Sequence, residues 1–246
     1  SKELKCNMSI ATTCCCHNND SDFCSYRLYP EPQYQFSIGV AGLARGDNSI
    51  SGDSYLFQSL SDGKFALMLS DGMGHGDSAA TQSRATLRLI ARLMDSGFSR
   101  DVVIKTVNSI LLLRSPQECF ATVDITIFDI YTGEVDFVKI GAVPGFVVRG
   151  HRVGIIRADT LPVGIVNDIE ILTFSKQLNY EDMVIMVTDG VIDAQDEKEN
   201  WLLEVLQDVS GLKPQEVADL IVNLARSASD RDDMTALVVR MEKVVQ

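Results

Sequence analysis

Two apolar runs in this chain end alike. ALMLSDG at 66–72 and VIMVTDG at 184–190 each read as a strand that hands over to Ser or Thr, then Asp, then Gly. Neither continues as a two-residue hairpin loop, so each aspartate stands at a strand end rather than inside a tight turn. Two further stretches, SGDSY at Asp53 and RDDMT at Asp232 and Asp233, carry aspartates at similar strand–loop boundaries. One Asp-Gly alone is routine turn chemistry. Four boundaries of the same kind predict a fold that gathers carboxylates at strand ends.

The rest of the chain says which fold that is. FSIGVAGLA is strand-like, and SYLFQSL and KFALMLS flank SDG at 61–63 as a hairpin. Periodicity then turns helical, with Leu87, Ile90, Ala91, Met94 and Phe98 on one face. A second helix, capped by Ser99, carries Val103, Ile104, Val107, Ile110 and Leu111. The short connection predicts an antiparallel helix pair. From Cys119 onward, strands follow one another: FATVDITIFDI, EVDFVKIGA, GFVVR, HRVGIIRA, IEILTFS and DMVIMVTDG. Hairpins in succession mean antiparallel sheet. A helix opening at Pro214 presents Val217, Leu220, Ile221 and Leu224, and MTALVVRM is apolar enough to be covered on both faces. The class is α+β, an antiparallel sheet covered by helices. Residues 1–35 read as a Cys-rich polar linker or tail, and 36–243 as the domain.

Composition removes some functions. The chain has 34 Asp and Glu against 22 Lys and Arg, net −12, which excludes broad nucleic-acid or anionic-membrane binding. No apolar run reaches the roughly 18–20 residues that span a bilayer. Five of the six cysteines, Cys6, Cys14, Cys15, Cys16 and Cys24, crowd the first 24 residues. That is a poor disulfide framework, and it predicts a reducing, cytoplasmic location. CCCH at 14–17 lacks the paired C-x2-C spacing of zinc knuckles. The chain opens on Ser1 rather than methionine, so it reads as a processed or excised piece of a longer parent.

Four or five carboxylates in one small volume repel one another unless protonated or neutralised. Hard oxygen ligands suit Mg²⁺ or Mn²⁺, and no cysteine or histidine stands beside them in zinc spacing except His75. Gly72, having no side chain, is expected to turn its carbonyl toward an ion beside Asp71. Two such ions roughly 3.5–4 Å apart activate a shared water and clamp a phosphoryl oxygen. That chemistry suits phosphate monoesters, whose slow uncatalysed hydrolysis leaves up to ~10²¹-fold for a catalyst to supply.

The order SGDSY, SDGMGHG with DSAA, TDG and DDMTALVV resembles the metal-dependent protein phosphatase 2C family, in its bacterial, stage II sporulation protein E-type branch. NSILLLR, KIGAVPGFVVRG and LPVGI are similar to that branch as well, so the likeness runs from about Phe36 to Arg240. The resemblance implies two stacked antiparallel sheets flanked by helices, a four-layer α-β-β-α sandwich. It also implies Mn²⁺- or Mg²⁺-dependent removal of phosphate from serine or threonine. By motif, Asp71 bridges two metals, the Gly72 carbonyl holds one, and Asp189 with Asp232 holds the other. Asp53 binds on the first side, directly or through water, and Asp233 is the alternative to Asp232. Adjacent strand residues point opposite ways, so one of that pair binds directly.

This sequence departs from the pattern twice. Met73 stands where larger members carry a histidine, so the acid for the leaving oxygen is either His75 or water. The phosphate-gripping arginine has no clear counterpart, and Arg45 is the nearby candidate. The sporulation-type likeness implies a phosphorylated anti-anti-sigma factor as substrate; homodimerisation stays open. Other phosphatase chemistries lack their motifs: no cysteine begins C-x5-R, and D-x-D-x-[TV] is absent. The remaining alternative is a non-catalytic binding module on the same fold.

Overall fold

A computed structural model describes residues 8–14, 25–46, 50–60, 63–72, 74, 76–114, 120–195, 199–229 and 231–244. The antiparallel hairpins predicted from the sequence build two five-stranded sheets. One runs β10-β7-β6-β5-β4: β4 is Asp53–Ser59, β5 Lys64–Asp71, β6 Val123–Asp129, β7 Glu134–Ile140 and β10 Leu172–Gln177. The other runs β3-β12-β11-β8-β9: β3 is Tyr34–Leu43, β8 Gly145–Arg149, β9 Arg152–Ile156, β11 Met183–Val187 and β12 Met234–Lys243. Helices α1 (Gly76–Asp95) and α2 (Arg100–Arg114) cover the first sheet. The one-turn α3 (Asp189–Ile192), α4 (Glu199–Gln207) and α5 (Pro214–Ala228) cover the second. The result is the four-layer α-β-β-α sandwich.

Strand alternation explains the layering, because successive side chains point to opposite faces. On β5, Leu67 and Leu69 meet Leu237 and Val239 of β12 between the sheets, while Ala66 and Met68 pack toward the helices against Leu87 and Ile90. On β12, Ala236 and Val238 turn the other way, onto Val217 and Ile221 of α5. Residues 234–239 are all buried, as a strand covered on both faces must be.

Several local expectations need correction. Residues 1–35 contain more than a tail: β1 (Met8–Cys14) and β2 (Ser25–Pro30) pair as an antiparallel hairpin. The readings made on Cys6, Cys15, Cys16, Cys24 and Cys119 lie outside the described residues. Helix α4 has no counterpart in the sequence prediction, although Trp201, Leu202 and Leu206 anchor it in the core. The buried face of α5 is Val217, Ala218, Ile221, Val222 and Ala225, which turns Leu224 outward at 37% exposure. Phe98 falls beyond the end of α1 and is 53% exposed, and Ile110 sits at the rim of the α2 face. No helix among the described residues is long and apolar enough to cross a membrane.

Candidate metal centre

The sheets bring the expected aspartates to one edge. Asp53 opens β4 and Asp71 closes β5, and the two are direct partners across the β4–β5 ladder. In the other sheet, β11 and β12 are also neighbours, so Asp189, two residues beyond β11, lies next to Asp232 and Asp233, which precede β12. Stacking the sheets sets these two pairs of ends face to face. Hydrogen bonds tie them together: the hydroxyls of Thr188 and Thr235 donate to Asp53 Oδ2 at 2.9 and 2.7 Å, and Thr188 Oγ1 accepts from the Thr235 amide. Thr122 fixes Asp71 in turn, accepting from its amide at 2.9 Å and donating its own to the Asp71 carbonyl.

The two glycines that follow these aspartates also meet backbone packed against them. A Cβ on Gly72 would lie 2.3 Å from the Ala79 carbonyl oxygen, and one on Gly190 would lie 2.1 Å from the Asp233 carbonyl oxygen. The strand ends need glycine because α1 and the approach to β12 pass against them at backbone distance. Gly74 and Gly76, by contrast, have φ of +91° and +75° and supply the left-handed turn into α1.

The two adjacent aspartates of RDDMT part company. Asp233 is buried, and both of its oxygens are taken: Oδ1 accepts the Arg45 amide at 2.6 Å and Oδ2 the Gly52 amide at 2.7 Å. It fastens the β3–β4 loop to β12. Asp232 is exposed and close enough to Asp189 and Asp71 to raise both their pKa values. Arg45 therefore reaches the cluster through its backbone. His75 lies outside the described residues.

Electrostatics follow from this crowding. Burial pushes the Asp53 carboxyl up to about 7, with the threonine hydroxyls opposing and Asp233 and Asp189 adding to the rise. Burial again leads at Asp71, raised to about 8, with Asp53, Asp189, Asp232 and Asp233 contributing repulsion. Asp189 is raised by burial and then by Asp232, against a hydrogen bond from the Gly190 amide. Among the described residues, Asp53 Oδ1 is buried with no hydrogen-bond partner. Among the described residues, no three His, Cys, Asp or Glu side chains already form a coordination shell. The donor set nonetheless fits hard divalent cations: all oxygen, mutually repelling, with one buried carboxylate oxygen left over.

Sequence reasoning missed Thr188, Thr235 and Thr122. The first two are the threonines of TDG and DDMT, so the motifs held the signal. A small cavity of about 30 Å³, lined by Asp71, Thr122, Asp124, Thr188 and Asp189, opens between the carboxylates and the space between the sheets.

Two stacked antiparallel sheets between helical layers, with carboxylates at one edge, define a PP2C-type phosphatase domain. The chain superposes with TM-score 0.84 and 32% identity on the PP2C phosphatase domain of SpoIIE from Bacillus subtilis, solved with a fragment of its regulatory domain. That match covers all of this chain and 73% of that one. A serine/threonine phosphatase of S. agalactiae shares the fold alone, with TM-score 0.70 and 18% identity over 84% of this chain and 99% of its own. The chain belongs to the stage II sporulation protein E family, whose model matches residues 61–242.

Stage II sporulation protein E of Bacillus subtilis (strain 168) is 39% identical over 215 residues, 85% of this chain and 26% of that protein. Its counterpart in Priestia megaterium is 36% identical over 233 residues, 92% of this chain and 40% of that one. Phosphoserine phosphatase RsbP of Bacillus subtilis is 24% identical over 66% of this chain and 42% of its own length. The chain thus spans less than half the length of the curated relatives it matches. Family and fold are those of PP2C-like serine/threonine phosphatases.

Proposed function

We propose that this chain is a protein phosphatase that hydrolyses phosphoserine or phosphothreonine in a partner protein with the help of two Mn²⁺ or Mg²⁺ ions. The observation that carries this reading is the meeting of Asp53, Asp71, Asp189 and Asp232 at one edge of the sandwich, with Asp53 Oδ1 buried and unpaired. The bound ions would supply positive charge against phosphoryl oxygens and a water of lowered pKa.

In this reading Asp71 would serve both ions, the Gly72 carbonyl and Asp53 would help hold one, and Asp189 and Asp232 would hold the other. Asp233 is a positioning residue, since its oxygens hold the Arg45 and Gly52 amides. Thr188 and Thr235 hold Asp53 in place and leave its second oxygen for the cation. Arg45 and His75 are the candidates for gripping phosphate and for protonating the leaving oxygen.

The family points to a small phosphorylated protein of the anti-anti-sigma type as substrate, dephosphorylated in the cytoplasm by a domain of a membrane-anchored parent. The test is Mn²⁺-dependent release of phosphate from such a phosphoprotein and from p-nitrophenyl phosphate, with Asp71→Ala as control. Turnover by the wild type that Asp71→Ala abolishes is expected. A folded, Mn²⁺-loaded wild type with no turnover of either substrate overturns the reading in favour of a non-catalytic binding module.

A further inference from the structure

Beside the carboxylates lies a second, larger groove of about 640 Å³. It shares Gly141, Ala142 and Val143 with the small cavity at Asp71 and Asp189, so the two adjoin. Two of the three segments that line it are fastened to each other. Thr160 Oγ1 accepts the Gly141 amide at 3.0 Å and donates to the Lys139 carbonyl at 3.2 Å. Gly141, at φ +63°, has Pro162 so close that a Cβ would meet the proline ring at 2.5 Å. Thr160 and Pro162 are therefore both pinned to the loop that follows β7.

Leu161 lies between these two anchors and is 53% exposed. Val143 and Pro144 add apolar lining to the same groove. At the rim stand one guanidinium, Arg157, and two carboxylates, Asp159 and Asp193. A leucine held out toward solvent by neighbours that are themselves fixed presents a preformed apolar surface, and preformed surfaces bind without an ordering cost. In the phosphatase reading it adjoins the carboxylates that would face the phosphoryl group.

We propose that the groove seats an aliphatic side chain one to three positions from the phosphoserine of the substrate protein, which makes Leu161 a specificity-determining residue. The inference rests on the phosphatase reading for the position of the phosphoserine. An extended segment rises about 3.3 Å per residue, so a phosphoserine at the carboxylates carries its near neighbours into the groove. Two rim carboxylates against one guanidinium disfavour an acidic residue at the same place.

The test is binding, measured apart from turnover. Peptides carrying a non-hydrolysable phosphonate analogue of phosphoserine, and differing only in leucine or glutamate two positions away, are titrated by fluorescence anisotropy with Mn²⁺ present. Wild type is expected to prefer the leucine peptide by about tenfold, as burial of one aliphatic side chain allows. Leu161→Ser should cut that preference to about twofold, and Leu161→Met should keep most of it. Equal affinities in wild type, or an unchanged preference in Leu161→Ser, overturn the groove. So does a wild-type dimer that Leu161→Ser dissociates with peptide preference intact, since a second copy would then be the occupant. Parallel assays with p-nitrophenyl phosphate on the wild type report separately on the phosphatase reading, because the peptides bind without being cleaved.

Discussion

Asp53 and Thr235 are 182 positions apart in the chain and 2.7 Å apart in space, the Thr235 hydroxyl donating to Asp53 Oδ2. Asp53 begins β4 of one sheet and Thr235 lies in β12 of the other. This bond is therefore a tie across the sandwich, made at the cluster of aspartates. It engages one carboxylate oxygen and leaves the other, Oδ1, buried without a partner.

Cutting that tie should loosen both the sheets and the centre. Thr235→Val keeps the shape of the side chain and removes the donor, leaving Thr188 as the remaining hydroxyl on Asp53. The expected cost is about 1–3 kcal/mol in denaturant unfolding, with Mn²⁺ binding weakened as Asp53 loses its fixed orientation. Unfolding and binding curves that both match wild type would show that the hydroxyl is dispensable.

Acidity should govern the metal-free protein in the reverse of the usual sense for carboxylates. Asp53 and Asp71 rise from 3.8 to about 7 and about 8 on folding, burial being the first cause. The folded state then holds protons that the unfolded chain releases. Their contribution to stability is fully present below pH 3.8 and is lost as pH climbs through 7 to 8. The melting temperature without metal is expected to fall between pH 5.5 and pH 8.5. Asp71→Asn should flatten that slope, and Mn²⁺ should raise the wild-type melting temperature most at the alkaline end. A slope unchanged in Asp71→Asn would contradict this account.

Gly72→Ala separates packing from backbone freedom. Its Cβ would press on the Ala79 carbonyl at 2.3 Å, main chain that cannot step aside cheaply. A loss of about 1–3 kcal/mol is expected from this overpacking. Gly74→Ala meets nothing within 4 Å and strains only φ, so it should cost about 1 kcal/mol. Thermal unfolding of the two variants side by side is the measurement, and equal losses would overturn the distinction.

Lys139 and Asp124 form an ion pair between the sheets, both all but fully buried. Burial raises the Asp124 carboxyl pKa, with Lys139 opposing. Lys139→Met alone leaves an uncompensated acid and should cost about 3–5 kcal/mol, while pairing it with Asp124→Leu should recover most of the loss. A double-mutant cycle showing additive losses would refute the coupling.

Much of this was written in local pattern. The motif SDGMGHG, the apolar runs of β5 and β12, and the succession of antiparallel strands are all legible in the residues themselves. Other features were hidden for identifiable reasons. ENWLLEVLQ spans too few residues to display a helical period, although Trp201, Leu202 and Leu206 bury it. Leu224 and Ile110 fit the helical spacing yet fall at the margin, because the neighbouring sheet, and not the helix, decides which arc is covered. Asp232 and Asp233 look alike in the chain; only the amides of Arg45 and Gly52, arriving from the other end of the domain, distinguish them.

By itself, the sequence determined which residue types could meet: aspartates at strand ends, glycines behind them, and apolar faces that make each segment a strand or a helix. Those are short-range properties, set by backbone sterics and side-chain alternation. Only the tertiary structure decided that the strand ends share one edge, that α1 passes close enough to Gly72 to forbid a side chain, and that threonines of the second sheet bond Asp53 of the first. The threonine bonds join residues more than a hundred positions apart, and local periodicity carries no information about which backbone will arrive.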